Sequence, residues 1–514
     1  MEWMRRWVER RLGGYRHPVN SPGAGPERDG TPRTVVVVGG GLAGVTAAVT
    51  LGRRGWKVIL KEKHPYLGGK VGAWPVALPA GEIAWVEHGY HAFFPHYHNL
   101  NRFLDSLDLR RSFRSIGDYA ILALDGRRFS FRDVDKTPGW NLLSLAGTGV
   151  WNLGQVLANP RLVGLLAMLR YDPVKTFVRF DDVSYEAWAR SLGLPASMRL
   201  MFNSFSRAFF ASPDRMSTAE LLKSFHSFFL SQDGGLIYDS PADDYETAFW
   251  RPLRAELDRL GAQIRLGEPV SRVEPRDGGY LVDGEPCDAV VLAADAGAVR
   301  RLVENSPGLG SLPFRNQVGS LKASQGYAVL RLWTDRRLDT DLPGFVITEH
   351  RKVLDSVSFY HDLEEPSRAW ADRTGGGVYE LHCYALPDGL TDPGEIRDAL
   401  VEELGGYFPS LRGMSVIHGH LQVNHDFTAL HTGMSRHRPG TDSGLPGLVL
   451  AGDWVKLPFP AMLMEAAASS GIAAANTLLR QAGLREEPLV SVPPRGLLAR
   501  RKSFLQGSCP PPAP

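Results

Sequence analysis

Cysteine is nearly missing: Cys287, Cys383 and Cys509 are the only three in 514 residues, far apart and without a CxxC pair. That excludes a disulfide framework and a thiolate zinc site, and reduced thiols point to a cytoplasmic protein. An excess of one charge is missing too. Lys plus Arg number 58 against 56 for Asp plus Glu, a formal net charge of +2. The basic residues are scattered and no nucleic-acid reading motif is present, so no nucleic-acid partner is expected. No apolar run is long enough to cross a bilayer. The best stretch, 35–51, is broken by four glycines. Metal-ligand spacing is also lacking: His88, His91, His96 and His98 cluster, but not as HExxH, so no metal is expected.

What is present is an ordinary globular composition, 43% hydrophobic and 22% charged. The length exceeds what one core supports, so at least two domains are expected. The N-terminus lacks the apolar region of a signal peptide. Instead Trp3, Met4, Trp7, Val8 and Leu12 share a helical face, with Arg5, Arg6, Arg10 and Arg11 adding charge. Two readings stay open: a peripheral anchor on anionic lipid, or an arm packed on its own protein.

Residues 1–33 read as this arm and a Gly/Pro-rich linker. A β-branched strand, Val35–Val38, then a glycine turn, a helix over 42–54 and a strand over 57–61 make a β-α-β start. Aromatic-rich helical stretches follow at 140–169, 183–192, 196–210 and 218–230. The fold class is α/β: a Rossmann-type, glutathione-reductase-like dinucleotide domain with an inserted mixed, largely helical substrate domain. The nucleotide domain is expected to be discontinuous (34–110, 240–310 and 421–484). Residues 111–239 and 311–420 form the substrate domain, and 485–514 a flexible tail.

The first motif is Val35-Val-Val-Val-Gly39-Gly40-Gly41-Leu42-Ala43-Gly44. Gly39, Gly41 and Gly44 fit GxGxxG after a strand and before a helix. Glu62 ends the next strand, where an acid accepts hydrogen bonds from the adenosine ribose. Gly39 permits the turn, Gly41 admits the pyrophosphate, and Gly44 lets helix and strand touch. The amides of Leu42 and Ala43 meet the phosphates. Beyond Glu62, Lys63 and the turn Gly68-Gly69-Lys70 suit a longer dinucleotide, with Lys70 beside the pyrophosphate. Leu448-Val-Leu-Ala-Gly452-Asp453 places a carboxylate at the end of a buried strand, where it suits a ribityl hydroxyl that FAD has and NAD lacks. The helix after Pro460 would turn its positive end to the flavin edge. No second strand–GxGxxG–helix unit is present, so electrons would leave to a quinone or dioxygen rather than through a second nucleotide site.

These residues resemble the FAD-dependent amine-oxidase and phytoene-desaturase superfamily. LGGKVGAW (67–74) and VEHGYHAFFPHYHNLNRFLDSL (86–107) are similar to plant-type carotene desaturases. FSRAFFASPDRMSTAELLKSFHSFFLSQDGGLIYD (205–239) and AGDWVKLPFPAMLMEAAASSGIAAANTLL (451–479) look closer to the carotenoid β-ring desaturase/methyltransferases, the isorenieratene synthases. The resemblance implies Gly89, Tyr90 and His91 near the flavin, Met464 as a further FAD contact, and Val270, read as on a strand, at the adenine end. With no cysteine near the C-terminal motif, FAD would be non-covalent.

The implied activity is hydride removal from a carotenoid-like polyene, desaturating a β-ring with a methyl shift. The alternatives are a linear carotene or squalene-type desaturase, a flavin amine oxidase, and a non-catalytic flavin-binding protein. His91 is the candidate proton acceptor or cation stabiliser. Phe202, Phe205, Phe209, Phe210, Phe225, Phe228 and Phe229 are read as either tunnel lining or core.

Overall fold

The computed structural model describes residues 2–31, 33–147, 154 and 158–499. Four consecutive valines make Thr34–Val38 a strand buried on both faces, and it lies inside a five-stranded sheet. The spatial order is Gln263–Leu266, Lys57–Glu62, Thr34–Val38, Ala289–Leu292 and Leu448–Leu450, with every pairing parallel. In a parallel sheet of this kind the carboxyl ends of the strands open onto the ligand crevice. Lys57–Glu62 follows Thr34–Val38 through one helix, but the other three strands come from distant parts of the chain, so the sheet is assembled from separated segments.

A second sheet has seven strands. Its order is Val416–Asn424, Tyr327–Thr334, Gly377–Cys383, Ser356–Phe359, Phe345–Thr348, Ala120–Leu122 and Arg128–Ser130. The pairing of Ala120–Leu122 with Phe345–Thr348 joins the two inserted segments into one layer. Helices at Tyr185–Leu192, Ala196–Ala208 and Thr218–Phe225 pack on one another through Tyr185, Phe202 and Phe225.

Several sequence expectations need correction. The boundary set between 420 and 421 cuts through the strand Val416–Asn424, which belongs wholly to the second sheet. The helical stretch 140–169 is interrupted. It runs as a helix over Trp140–Gly147, and Asn159 and Pro160 open a separate 3-10 turn followed by Leu166–Leu169. Proline at a helix start has no amide to lose, which is why the chain restarts there. Residues 148–153 and 155–157 of that stretch lie outside the described residues. Val270 sits in the loop after Gln263–Leu266 rather than on a strand, because Pro269 beside it cannot donate to a ladder.

The segment 485–499 is not a loose tail. Val490–Ser491 pairs with His17–Pro18. The Asn99 side chain brackets Val490, its Nδ2 donating to the carbonyl (2.7 Å) and its Oδ1 accepting from the amide (2.9 Å). The expected mobility over 500–514, and Cys509, lie outside the described residues. The N-terminal helix Glu2–Leu12 packs Val8 and Leu12 on Leu497 with one face, while Trp3 and Trp7 stay 72% and 44% exposed. No described helix is long and apolar enough to cross a membrane.

Candidate active site

A cavity of about 910 Å3 runs from the glycine turn to the seven-stranded sheet, at the large end for a small-molecule site. Gly39, Gly41, Leu42, Ala43, Glu62, Lys63, Gly69, Lys70, Gly89, Tyr90, His91, Val270, Gly452, Asp453 and Met464 all line it. Of the expected cofactor residues only Gly44 stands behind the wall. A Cβ on Gly44 would sit 2.0 Å from the Gly39 carbonyl oxygen, so its role is close packing of helix on strand.

The nucleotide end is built from backbone. Gly39 holds a φ of 108°, and a side chain there would strike the Ala293–Ala294 backbone at 2.8 Å. A Cβ on Gly41 would meet nothing nearer than 3.8 Å, so that glycine leaves open volume at the head of the helix Leu42–Arg53. The first amides of a helix have no partner within it, and Leu42 and Ala43, the first two residues of this helix, line the cavity. Glu62 accepts from the Gly40 amide (2.7 Å) and the His64 amide (2.9 Å), which fixes its carboxylate at the turn. The second glycine turn docks on the first: the Gly68 amide donates to the Gly40 carbonyl at 2.9 Å. Lys63 pairs loosely with Asp295, 3.7 Å away.

Lys70 and Asp453, expected at different parts of the ligand, meet each other. The Lys70 ammonium donates to both Asp453 oxygens (3.1 and 3.0 Å) and lies 4.7 Å from the Phe427 ring centre. The Asp453 loop is held from behind by Arg438, which sequence reasoning missed. Its guanidinium donates to the carbonyls of Asp453 (2.6 Å), Trp454 (2.9 Å) and Val455 (3.2 Å). The helix Leu463–Gln481 begins at the cavity with Leu463 in the left-handed region, φ 49°. It crosses the first helix closely: a Cβ on Gly471 would lie 2.2 Å from the Ala43 oxygen.

The far end is aromatic. Tyr90, Tyr119, Tyr238, Phe345, Tyr384 and Phe427 line it. Of the seven phenylalanines read as tunnel or core, Phe205 and Phe210 line the cavity. Phe202, Phe225 and Phe229 are fully buried, and Phe209 and Phe228 nearly so, in the core. Phe210, at φ 58°, stacks on Phe427 with ring centres 3.5 Å apart. The strain of a bulky residue in this region is expected only where surroundings force it.

His91 is tied down: its Nδ1 lies 2.6 Å from the Gly89 carbonyl and its amide donates to the Tyr245 hydroxyl. Burial pushes its imidazole down to about 4, so it is neutral near pH 7. Beneath it is an ionic cluster that the sequence reading did not find. Arg331, 1% exposed, donates to Glu380 (2.6 and 2.9 Å) and Glu87 (2.5 Å) and stacks 3.4 Å from the Tyr360 ring centre. Burial works against ionisation of Glu380, but Arg331 and His382 hold its carboxyl down to about 2. Among the described residues, no group of His, Cys, Asp and Glu is placed to hold a metal ion.

The chain matches the flavin-containing amine oxidoreductases over residues 42–479. It belongs to that family. Its relatives include the carotenoid phi-ring synthase of Streptomyces griseus, 37% identical over 490 residues, spanning 93% of this chain and 94% of the relative. The 15-cis-phytoene desaturase of Solanum lycopersicum is 25% identical, spanning 87% and 78%. A solved variant of putrescine oxidase superposes with a TM-score of 0.63 at 16% identity, over 88% of this chain and 99% of that one, which places the fold. The flavin of this family fits the wall just described. The open volume over Gly41 and the carboxylates Glu62 and Asp453 in the cavity wall give it room beside a helix head and hydrogen-bond acceptors.

Proposed function

We propose that the protein is an FAD-dependent carotenoid oxidoreductase that desaturates a β-ring and shifts one of its methyl groups. The observation that carries this reading is the continuous cavity, polar and glycine-built at the nucleotide end and aromatic at the other. Similarity favours the ring branch, at 37% identity against 25% for a linear-carotene relative. FAD is the form of flavin that uses the whole length, with its adenine end by Val270 and Glu62 and its ribityl chain by Asp453. Non-covalent attachment is supported by the two described cysteines, Cys287 and Cys383, which lie outside the cavity.

A flavin held there would supply the acceptor for a hydride from a ring C–H. The protein's part is to exclude water, hold the ring in line and stabilise the cation left on the polyene. Aromatic faces suit that task, since a ring face attracts a positive charge by about 0.5–2 kcal/mol. Making a β-ring aromatic takes two successive losses of hydride and proton. The electrons pass on to a quinone or dioxygen, since one nucleotide fingerprint is present.

Access for a lipid-soluble substrate is supported by the N-terminal face. Trp3 and Trp7 are exposed on the arm, and Val163, Val174 and Val178 on neighbouring helical turns. The strap 496–498 ties these together, carrying Leu497 under the arm and bonding back to Leu169 and Tyr171. A cytoplasmic enzyme resting on a membrane through this face would draw carotenoid from the bilayer. The test of function is pigment analysis after expression in hosts that accumulate β-carotene or phytoene. Ring-aromatised product from β-carotene and none from phytoene is expected; the reverse pattern would establish the linear desaturase instead.

A further inference from the structure

Five histidines line the cavity: His64, His88, His91, His382 and His420. They differ in what stands behind them. His88 has the Tyr327 hydroxyl at 2.7 Å and Asp426 only at 3.8 Å. His91 is bonded to a carbonyl. His382 alone among the five has a carboxylate within hydrogen-bond distance of its ring: Nε2 lies 2.7 Å from Glu380 Oε1.

That carboxylate is fixed on all sides. Glu380 Oε1 also accepts from the Tyr90 amide at 2.8 Å, and Oε2 accepts twice from Arg331. An ionised carboxylate only accepts, so His382 must carry its proton on Nε2. Its Nδ1 is then the basic nitrogen, and among the described residues no protein group bonds it. The side of the ring that carries Nδ1 faces Gly89. A Cβ added at Gly89 would lie 3.1 Å from His382 Cε1 and 3.9 Å from Nδ1. The missing side chain leaves this edge of the imidazole open toward the segment Gly89–His91. A base oriented by a buried carboxylate is the arrangement by which proteins fix an imidazole tautomer for proton transfer.

We propose that His382 is the catalytic base that takes the ring proton. The assignment rests on the ring-desaturating function proposed above. A bound flavin would take the hydride with its electron pair, and the cation left on the ring spreads along the polyene. A methyl group then migrates with its bonding pair to the cationic carbon. Next a neighbouring ring C–H breaks. Its electron pair closes the new C=C bond, and the proton bonds His382 Nδ1. The imidazolium so formed is paired with Glu380 and releases its proton to water when product departs. His91 keeps a supporting place beside the flavin.

The experiment uses flavin-loaded full-length protein with β-carotene in micelles. His382→Gln and His382→Ala are compared with His91→Gln, each checked for flavin content and thermal unfolding. General-base loss costs about 100- to 10,000-fold. Both His382 variants are therefore expected to retain flavin and to form aromatised ring product at least about 100-fold more slowly. Added imidazole is expected to restore the Ala variant about tenfold or more, a rescue that loss of a packing group would not give. Turnover of His382→Gln within about tenfold of wild type overturns the assignment, as does His91→Gln losing activity while His382→Gln keeps it. Wild-type protein that makes no ring product from any carotenoid refutes the function itself, and so is told apart from failure of the base.

Discussion

At the scale of single residues, the proposed cofactor end rests on two carboxylates in fixed positions. Glu62 is set by two backbone amides, and Asp453 by Lys70 in front and Arg438 behind. Glu62→Ala and Asp453→Ala are each expected to purify with much less flavin, with affinity down about ten- to a hundredfold for one lost charge-assisted hydrogen bond of about 1.5–3 kcal/mol. Flavin titration into stripped protein measures it, and unchanged affinity in both variants would remove these residues from the site. The place of Glu62 against the glycine turn was legible in the sequence because its signal is local: a fingerprint turn, one helix, one strand, then an acid. Arg438 was not, because it reaches the 453–455 carbonyls only through the tertiary fold. Arg331 and Glu380 carried a readable trace. Each is a lone charge in an otherwise apolar strand, YAVLRLWT and GVYELHC, and a fully buried charge requires a partner.

At the scale of elements, strands and helices with a strong pattern were readable, and interrupted ones were not. Thr34–Val38 and Leu42–Arg53 follow from four valines and a glycine turn. The stretch 140–169 reads as helix by composition, but Asn159-Pro160 restarts the chain. The phenylalanine stripe over 202–229 points mostly inward because residues three, four or seven apart share one helix face, and that face packs in the core. The helix Leu463–Gln481 adds a pH dependence. Its Glu465 accepts from the Asn99 amide (3.0 Å) and the Leu100 amide (3.0 Å), capping the helix His98–Asp105. Burial nevertheless pushes this carboxyl up to about 7. A carboxyl with a raised folded-state pKa binds its proton more tightly when folded. Its stabilising contribution is full below its ordinary value near 4.5 and lost as pH rises through about 7. Thermal unfolding from pH 5 to 8 is expected to show wild-type stability falling across that window, with a flatter profile in Glu465→Gln. Parallel profiles would contradict it.

At the scale of the whole molecule, residues of both sheets line one large cavity, and the segments around His17–Pro18 and Val490–Ser491 are stitched together. That stitching was not legible, since 485–499 looks like a polar, proline-rich tail and is fixed only by contacts with Asn99 and the strand His17–Pro18. The exposed tryptophans of the arm give this face its proposed contact with lipid. Removing residues 1–12 is expected to abolish co-sedimentation with anionic phosphatidylglycerol vesicles while leaving turnover in micelles within about twofold, because the arm lies outside the cavity. Equal sedimentation of the shortened and full chains would refute that role.

The central claim is that a flavin seated between Glu62 and Asp453 takes hydride from a carotenoid ring held at the aromatic end. Anaerobic mixing of the purified holoprotein with β-carotene, followed at the flavin absorption band and by mass analysis of the pigment, tests it directly. The expected result is bleaching of the yellow flavin, with pigment that has lost hydrogen from its ring. A protein that cannot be loaded with flavin, or a loaded flavin that stays oxidised with β-carotene, would contradict it.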